Sequence, residues 1–380
     1  MAINADHDDL EPSNVEQDVV EPVDREPDGR LRTFASVVLP TPQRLSNRKT
    51  PSPEDLGPLE HLVGAWVGRG TGWNMIALPF QRGPFKFRVL MNQYDEELRF
   101  SFVDDDVPNR GLSRPGASAP DQFVVTLDYE QKLAQVAAED RPHSGLAGGP
   151  GLPIHHEPGL WLYEKNRRTK DDQIKLGQVT EVELKVARLA SIPHGNSVLA
   201  PGIATVHRGM PKIPPLSGLP SGQFEDVRTP DYDFKSDPYL EPYKHYIDHP
   251  FMGNVVGVPG FPGFSPADMN DILRFANRGV NIVRTTTLTV DSSRKSGGIN
   301  NLPFTVREAE PATMKSTFWI QELAEKGPDG KPQLRLQYSQ VVMLHFFRPR
   351  EDEFPERAVW PHISIATLEK APARYSFASA

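Results

Sequence analysis

Short stretches in which apolar and polar residues alternate recur along most of the chain after residue 50. Phe85–Met91, Glu97–Val103 and Gln122–Asp128 are clear examples. Further stretches fall near 133–137, 152–163, 179–189, 197–206, 281–290, 314–323, 333–347 and 361–368. Alternation with a period of two is typical of half-buried strands, and many short neighbouring strands favour a closed antiparallel sheet. The pattern therefore predicts an all-β protein built as an antiparallel barrel.

Two segments break this pattern. Residues 207–264 contain ten prolines and many aromatic residues without a sustained period, which predicts an insertion that packs on the barrel. Ser265–Gly279 has a Ser cap, Pro at the first position and a closing Gly, so it is predicted to form a helix. The carboxylate pair Glu96-Glu97 is predicted to lie in a turn, and the run Asp104–Asp106 at a hairpin tip.

Charge separates the N-terminal segment from the rest of the 380-residue chain. Residues 1–30 carry ten acidic and two basic side chains, which accounts for the whole net charge of −8. Residues 1–50 are therefore predicted to be a disordered acidic tail, and 51–375 a single domain interrupted at 207–264. The remainder is balanced in charge, so we expect neither nucleic acid nor a membrane surface as a partner. The oligomeric state is left open.

The chain contains no cysteine. This excludes disulfides, thiolate metal sites and cysteine nucleophiles. The N-terminus lacks the apolar segment of a secretory signal, and no apolar run is long enough to span a bilayer. The sequence therefore predicts a cytoplasmic protein.

Gly64–Gly72 reads GxWxGxGxG, with four glycines at period two. In a strand, one face of this segment would be bare backbone except at Trp66, because alternate side chains share a face. Such a strand marks a sharp bend or the close approach of a ligand or another backbone. The alternative is an ordinary glycine-rich loop.

Three histidines are candidates for chemistry. His362 lies in a predicted last strand whose two faces are both apolar, so the pattern does not show which face points inward. It is either a structural histidine or an axial metal ligand inside a cavity, since neutral imidazole binds metals and haem iron. His155 and His156 follow a glycine-rich loop, so either one of them enters a pocket or both are exposed. No HExxH or GxSxG motif accompanies them.

Five stretches together resemble the nitrobindin family of haem-binding β-barrels. They are the glycine strand Gly64–Gly72, Tyr94–Ser101, Ile154–Trp161, Val186–Gly195 and the late Pro361-His362 pair. They occur in the family's order, and the resemblance covers most of 57–206 and 280–370. The segment 207–264 has no counterpart in the family, whose domains are much shorter.

The resemblance implies a ten-stranded, calycin- or lipocalin-like barrel with a few short helices and ferric haem b at its mouth. His362 would be the proximal axial ligand of the iron, and His155 would act as the catalytic residue above an open distal site. The implied cofactor-binding residues are Gly64, Trp66, Gly68, Gly70, Thr71, Gly72, His155, His156 and His362. Family members bind nitric oxide and are credited with converting peroxynitrite to nitrate, so a peroxynitrite isomerase-like or peroxidase-like activity is expected.

Three functions follow as hypotheses. The first is a haem b protein that acts on nitric oxide, peroxynitrite or a peroxide. The second is a haem enzyme that acts on an organic substrate beneath the 207–264 segment. The third is a haem-free calycin-like carrier of a fatty acid or another apolar ligand, in which His362 is only structural.

Overall fold

The computed structural model describes residues 53–80, 82, 87–105, 108–109, 122–165, 184–192, 195–220, 240–255, 257–308, 310–346 and 358–372. The predicted tail 1–50 lies outside them. The strands are β1 Gly64–Pro79, β2 Phe87–Asp104, β3 Pro108–Asn109, β4 Gln122–Arg141, β5 Pro153–Lys165, β6 Leu184–Ile192, β7 Asn196–Arg208, β8 Ile282–Asp291, β9 Gly298–Asn301, β10 Glu310–Lys326, β11 Pro332–Phe346 and β12 Ala358–Lys370. The short helices are α1 Pro53–Leu56, a 3₁₀ turn Gly57–Leu59, α2 Glu241–Asp248, α3 Asp271–Ala276 and α4 Pro303–Glu308.

Ten of these strands form a closed barrel. Hydrogen-bonded neighbours follow the order β2-β1-β12-β11-β10-β8-β7-β6-β5-β4, and β2 also pairs with β4, which closes the sheet. The pairings are antiparallel. The short β3 pairs with β4 and β9 with β7 outside this ring. The predicted antiparallel barrel of about ten strands with a few short helices is confirmed.

Two strands are longer than the sequence pattern predicted. The described part of the predicted strand Phe85–Met91 and the predicted strand Glu97–Val103 belong to one continuous β2, and β4 likewise joins two predicted strands. The expected turn at Glu96-Glu97 was wrong, because both residues lie in the middle of β2 and pair with β4. Hydrogen bonds inside the barrel compensate the burial of Glu96. An ionisable residue in this position therefore does not end the strand.

The lower half of the barrel is filled by side chains. Trp66, Tyr94, Leu98 and Phe100 lie in this inner core, which is closed from below by residues of the 56–62 segment. Trp66 is fully buried, and its indole N–H donates to the carbonyl of Leu62 (2.7 Å). The filled base leaves only the upper half of the barrel for a ligand.

A second apolar core lies on the outer face of β2, β1 and β12. Ile363 and Ile365 of β12 point outward into it, together with Trp73 of β1. Their partners come from the segment between β7 and β8, of which 209–220, 240–255 and 257–281 are described. Its aromatic residues on this wall are Tyr243, Tyr246, Phe251, Phe261 and Phe264. This segment of the predicted insertion packs on the outside of the barrel.

The helix predicted over Ser265–Gly279 is shorter in the structure. Only α3 is helical, and the preceding residues form turns. The Asp268 carboxylate accepts hydrogen bonds from the backbone N–H groups of Leu216 and Asn270, so the side chain competes with helical pairing. Among the helices described here, none is both long and apolar enough to cross a membrane.

Candidate functional site

The upper half of the barrel encloses a cavity of about 530 Å³. Its walls are formed mainly by inward-facing residues of the barrel strands. The lining residues are Asn74, Ile76, Leu90, Asn92, Gln131, Leu133, Gln135, Leu146, Ala147, Leu152, Ile154, His155, Glu157, Ala190, Ile192, Asn196, Val198, Ile299, Phe304, Thr305, Pro311, Met314, Tyr338, Gln340, Val342, Leu344, His362 and Ser364. Leu146, Leu152 and Phe304 are also exposed, so they form an apolar rim at the opening. The size is typical of a site for a small organic molecule.

His362 faces the cavity. Ile363 and Ile365 pack outward, and the alternation of β12 therefore turns His362 and Ser364 inward. Asn74 on the neighbouring β1 donates its side-chain amide to His362 Nε2 (2.7 Å) and to Ser364 Oγ (2.9 Å). Nε2 accepts this bond, so the proton of the neutral ring is on Nδ1. The sequence did not show which way His362 points. In the structure it points inward because the opposite face of β12 is buried against the outer core.

His155 and His156 separate at the cavity wall. The His155 side chain is 18% exposed and lines the cavity, where its Nε2 lies 3.2 Å from Glu157 Oε2. The His156 side chain is 50% exposed and lies 3.0 Å from Glu130 on the other face of the sheet. His155 and His362 therefore line the same cavity, and His156 does not.

The glycine strand contributes to the base of the barrel rather than to the cavity wall. Six residues of this strand were predicted to bind the cofactor, and none of them is among the described residues that line the cavity: Gly64, Trp66, Gly68, Gly70, Thr71 and Gly72. The ring of Tyr94 from β2 occupies the space that a side chain at Gly72 would need. Gly70 has a φ of +62°, next to an irregularity in the pairing of β1 with both neighbours. Here the close approach predicted from the glycines is made by the protein's own residues.

A buried ion pair lies directly behind His155. Arg188 Nη2 donates to Glu157 Oε1 at 2.6 Å, and both side chains are almost fully buried. Burial raises the pKa of Glu157, but Arg188 and the hydrogen bond from His155 outweigh this and lower the pKa to about 2. Arg188 also donates to the Tyr129 hydroxyl (2.9 Å) and to Gln340 Oε1 (2.6 Å). Glu157 is therefore ionised at neutral pH and fixes the position of the His155 ring.

A second carboxyl group lies below the cavity. Glu96 is fully buried and accepts hydrogen bonds from Gln131 Nε2 (2.6 Å) and the Tyr338 hydroxyl (2.8 Å). The Tyr338 hydroxyl also lies 2.8 Å from that of Tyr94. Burial, opposed only in part by these bonds and by Arg188, raises the pKa of Glu96 from 4.5 to about 7. The two buried carboxyl groups differ because only Glu157 is in direct contact with a cation.

The interactions of these buried polar groups could not be predicted from the sequence pattern. One signal was present: Arg188 lies two residues from Val186 and from Ala190, both of which are buried. A charged side chain on the apolar face of a strand requires a partner inside the protein. Glu96 shares a face with Tyr94 and Leu98 in the same way. The identity of each partner, however, depends on the pairing of distant strands.

No family model matches the chain, and no curated protein matches it. Among solved structures, the chain is similar to the crystal structure of Rv2717c from M. tuberculosis. The match covers 86% of this chain and 100% of that chain, with 14% identity and a TM-score of 0.31. A likeness at this TM-score assigns neither a family nor a function.

Of the groups that a haem would need, the cavity lining offers one inward-facing imidazole and apolar walls. His362 supplies an imidazole on the wall, beside the apolar Val342, to which it is paired across β11 and β12. Among the described lining residues, none is Lys or Arg, so propionates would have to extend through the opening. In the described part of the chain, no group of three or more His, Asp or Glu side chains is arranged to hold a metal ion.

Proposed function

We propose that the protein binds one haem b in the barrel cavity, with His362 as the axial ligand. One observation carries the proposal: the side chains of His362 and His155 line the same cavity inside a closed barrel. The motif resemblance to nitrobindin supports the same assignment of these two residues. The barrel and its cavity are, in addition, compatible with a calycin-like protein that holds one small ligand.

In this proposal the residues of the chain have separate roles. His362 would hold the iron, and its Nε2 would then have to give up the hydrogen bond that Asn74 donates to it. His155 keeps a proton on Nε2, because the ionised Glu157 carboxylate accepts there at 3.2 Å. When bound, ferric haem would supply an open iron position able to bind nitric oxide, peroxynitrite or a peroxide. The apolar rim would limit access of water to this position.

The test is a hemin titration followed by absorption spectroscopy. We expect the wild-type protein to give a sharp Soret band that saturates at one hemin per chain. His362→Ala should lose or shift this band, since it removes the ligand. His156→Ala is the matched control, because that histidine is exposed outside the cavity. A His362→Ala protein with an unchanged spectrum would show that His362 does not bind the iron.

The second candidate is a haem-free carrier of an apolar molecule. Two observations favour it: His362 Nε2 already has a hydrogen-bond donor in Asn74, and none of the described lining residues is a cation. If this candidate is correct, hemin will not titrate stoichiometrically, whereas a neutral lipophilic dye will bind. The described residues of 209–281 contribute no lining side chain, and so offer no support for an enzyme with a lid formed by that segment.

A further inference from the structure

The strand register places five polar residues side by side inside the barrel. Asn92 of β2 pairs with Asn74 of β1, Asn74 with Ser364 of β12, Ser364 with Gln340 of β11, and Gln340 with Ser316 of β10. We name this row the polar belt. A row of five polar side chains inside a barrel is costly unless each finds a partner.

The belt separates two layers of different character. The layer above it, toward the opening, contains Leu90, Ile76, Val342 and Met314 together with His362. The layer below it contains the buried rings that fill the base, including those of Tyr94, Tyr338 and Phe318. A ligand that enters through the apolar rim would therefore meet the belt with its inner end.

Four polar atoms of the belt have partners among the described residues. The Asn74 amide donates to His362 and Ser364. Gln340 Oε1 and Ser316 Oγ accept from Arg188 at 2.6 and 3.3 Å.

Asn92 is different. Its side chain lines the cavity and is 4% exposed, and Oδ1 has no hydrogen-bond partner among the described residues. A buried carbonyl oxygen without a donor is costly, and because Oδ1 itself has almost no accessible surface, the Asn92 amide would have to turn toward the cavity for a ligand to supply that donor.

We propose that the polar belt is a subsite for an uncharged head group that donates a hydrogen bond to Asn92 Oδ1. The ligand class is an amphipathic molecule with a hydroxyl or amide N–H at one end and an apolar chain at the other. The apolar chain of the ligand would lie against Leu90, Ile76 and Val342. The inference rests on the second candidate function, in which the cavity holds an apolar molecule in place of haem.

The charges around the belt favour an uncharged head group. Arg188 and Glu157 pair with each other at 2.6 Å, so neither is left to balance an ionised ligand. Glu96 is covered by Gln131 and Tyr338, which both bond to it. A buried ion without a counter-ion is strongly disfavoured.

The experiment compares two probes with the same number of heavy atoms, 1-decanol and methyl nonyl ether, by calorimetric titration of haem-free protein. Only the alcohol donates a hydrogen bond. The ratio of their Kd values is measured in the wild type, in Asn92→Leu and in Asn300→Leu, the last being an exposed control. Differences in the hydration of the probes cancel when ratios are compared. We expect the preference for the alcohol to fall about tenfold in Asn92→Leu and to persist in Asn300→Leu.

An unchanged ratio in Asn92→Leu, or no binding of either probe to the wild type, would overturn the proposal. If Asn92→Leu does not fold, the proposal can still be tested on the wild type with decanoate, which at pH 8 has a charge and no hydrogen-bond donor. It should bind more weakly than 1-decanol, and tighter binding of decanoate would contradict an uncharged subsite. The hemin titration tests a different proposal. If hemin does not bind, the haem proposal fails, and the preference for the alcohol can still be measured.

Discussion

At Gly72 the interior of the barrel leaves no room for a side chain. The ring of Tyr94 lies against the backbone there, and a Cβ atom would overlap it. Tyr94 cannot easily move aside, since its hydroxyl bonds to the Ile365 carbonyl (3.1 Å) and to Tyr338 (2.8 Å). The glycine is therefore required by packing within the protein.

We predict that Gly72→Ala lowers the free energy of unfolding by about 1–3 kcal/mol, the usual effect of overpacking a core. Gly149→Ala is the matched control, because a Cβ there meets nothing within 4 Å and the residue is not in the left-handed region. Urea unfolding of the two variants gives the comparison. Equal stability of Gly72→Ala and the wild type would mean that the base of the barrel is looser than the structure indicates.

The ion pair behind His155 gives a second prediction for single residues. Arg188→Met should destabilise the protein by about 3–5 kcal/mol, since it leaves the Glu157 carboxylate buried without its cation. The double variant Arg188→Met, Glu157→Gln removes both charges and should recover much of this loss. Chemical unfolding of both proteins tests this. If the double variant is no more stable than Arg188→Met, lost packing rather than charge explains the effect.

The outer wall shows how one element can be buried on both faces. In β12, Ile363 and Ile365 pack outward against the segment between β7 and β8, and His362 and Ser364 face the cavity. A half-buried barrel strand would show clear alternation. This one does not, and the sequence therefore left the direction of His362 open. The missing information was which distant segment covers the outside.

Trp73 of β1 joins that segment to the barrel. Its ring centroid lies 5.9 Å from Phe251, 5.5 Å from Phe261 and 5.9 Å from Phe264. We predict that Trp73→Ala costs about 3–5 kcal/mol and speeds amide hydrogen exchange in residues 251–264 more than in β11. Ligand binding should persist, because Trp73 faces away from the cavity. Uniformly faster exchange across the barrel would instead show that the wall and the barrel unfold together.

The sequence predicted the elements better than their contacts. Period-two alternation was sufficient for an antiparallel barrel, because it depends only on which neighbouring positions share a face. It failed at Glu96, where a carboxyl group on the inner face of β2 was assigned to a turn. Its partners Gln131 and Tyr338 come from β4 and β11, and only strand pairing brings them together. For the same reason, the vacant acceptor on Asn92 could not be recognised before the register was known.

For the whole molecule, the two buried carboxyl groups make stability depend on pH in opposite directions. The pKa of Glu96 is raised from 4.5 to about 7 in the folded protein. Its contribution to the free energy of unfolding is therefore complete below pH 4.5 and is lost as pH rises through 7. The pKa of Glu157 is lowered to about 2, so its contribution is present above 4.5 and is lost as pH falls toward 2. Between pH 5 and 8 only Glu96 of this pair changes its charge.

The last prediction follows from this difference. A shift of Glu96 from 4.5 to about 7 corresponds to roughly 3 kcal/mol of stability lost between pH 5 and pH 8. Glu96→Gln mimics the protonated carboxyl group, so it should remove this part of the pH dependence and be more stable than the wild type at pH 8. Urea unfolding at both pH values tests it, with Glu97→Gln, which pairs with the exposed Arg69, as the control. Other titrating groups are common to all three proteins and cancel. A Glu96→Gln protein that loses as much stability as the wild type between pH 5 and 8 would show that Glu96 is ionised throughout this range.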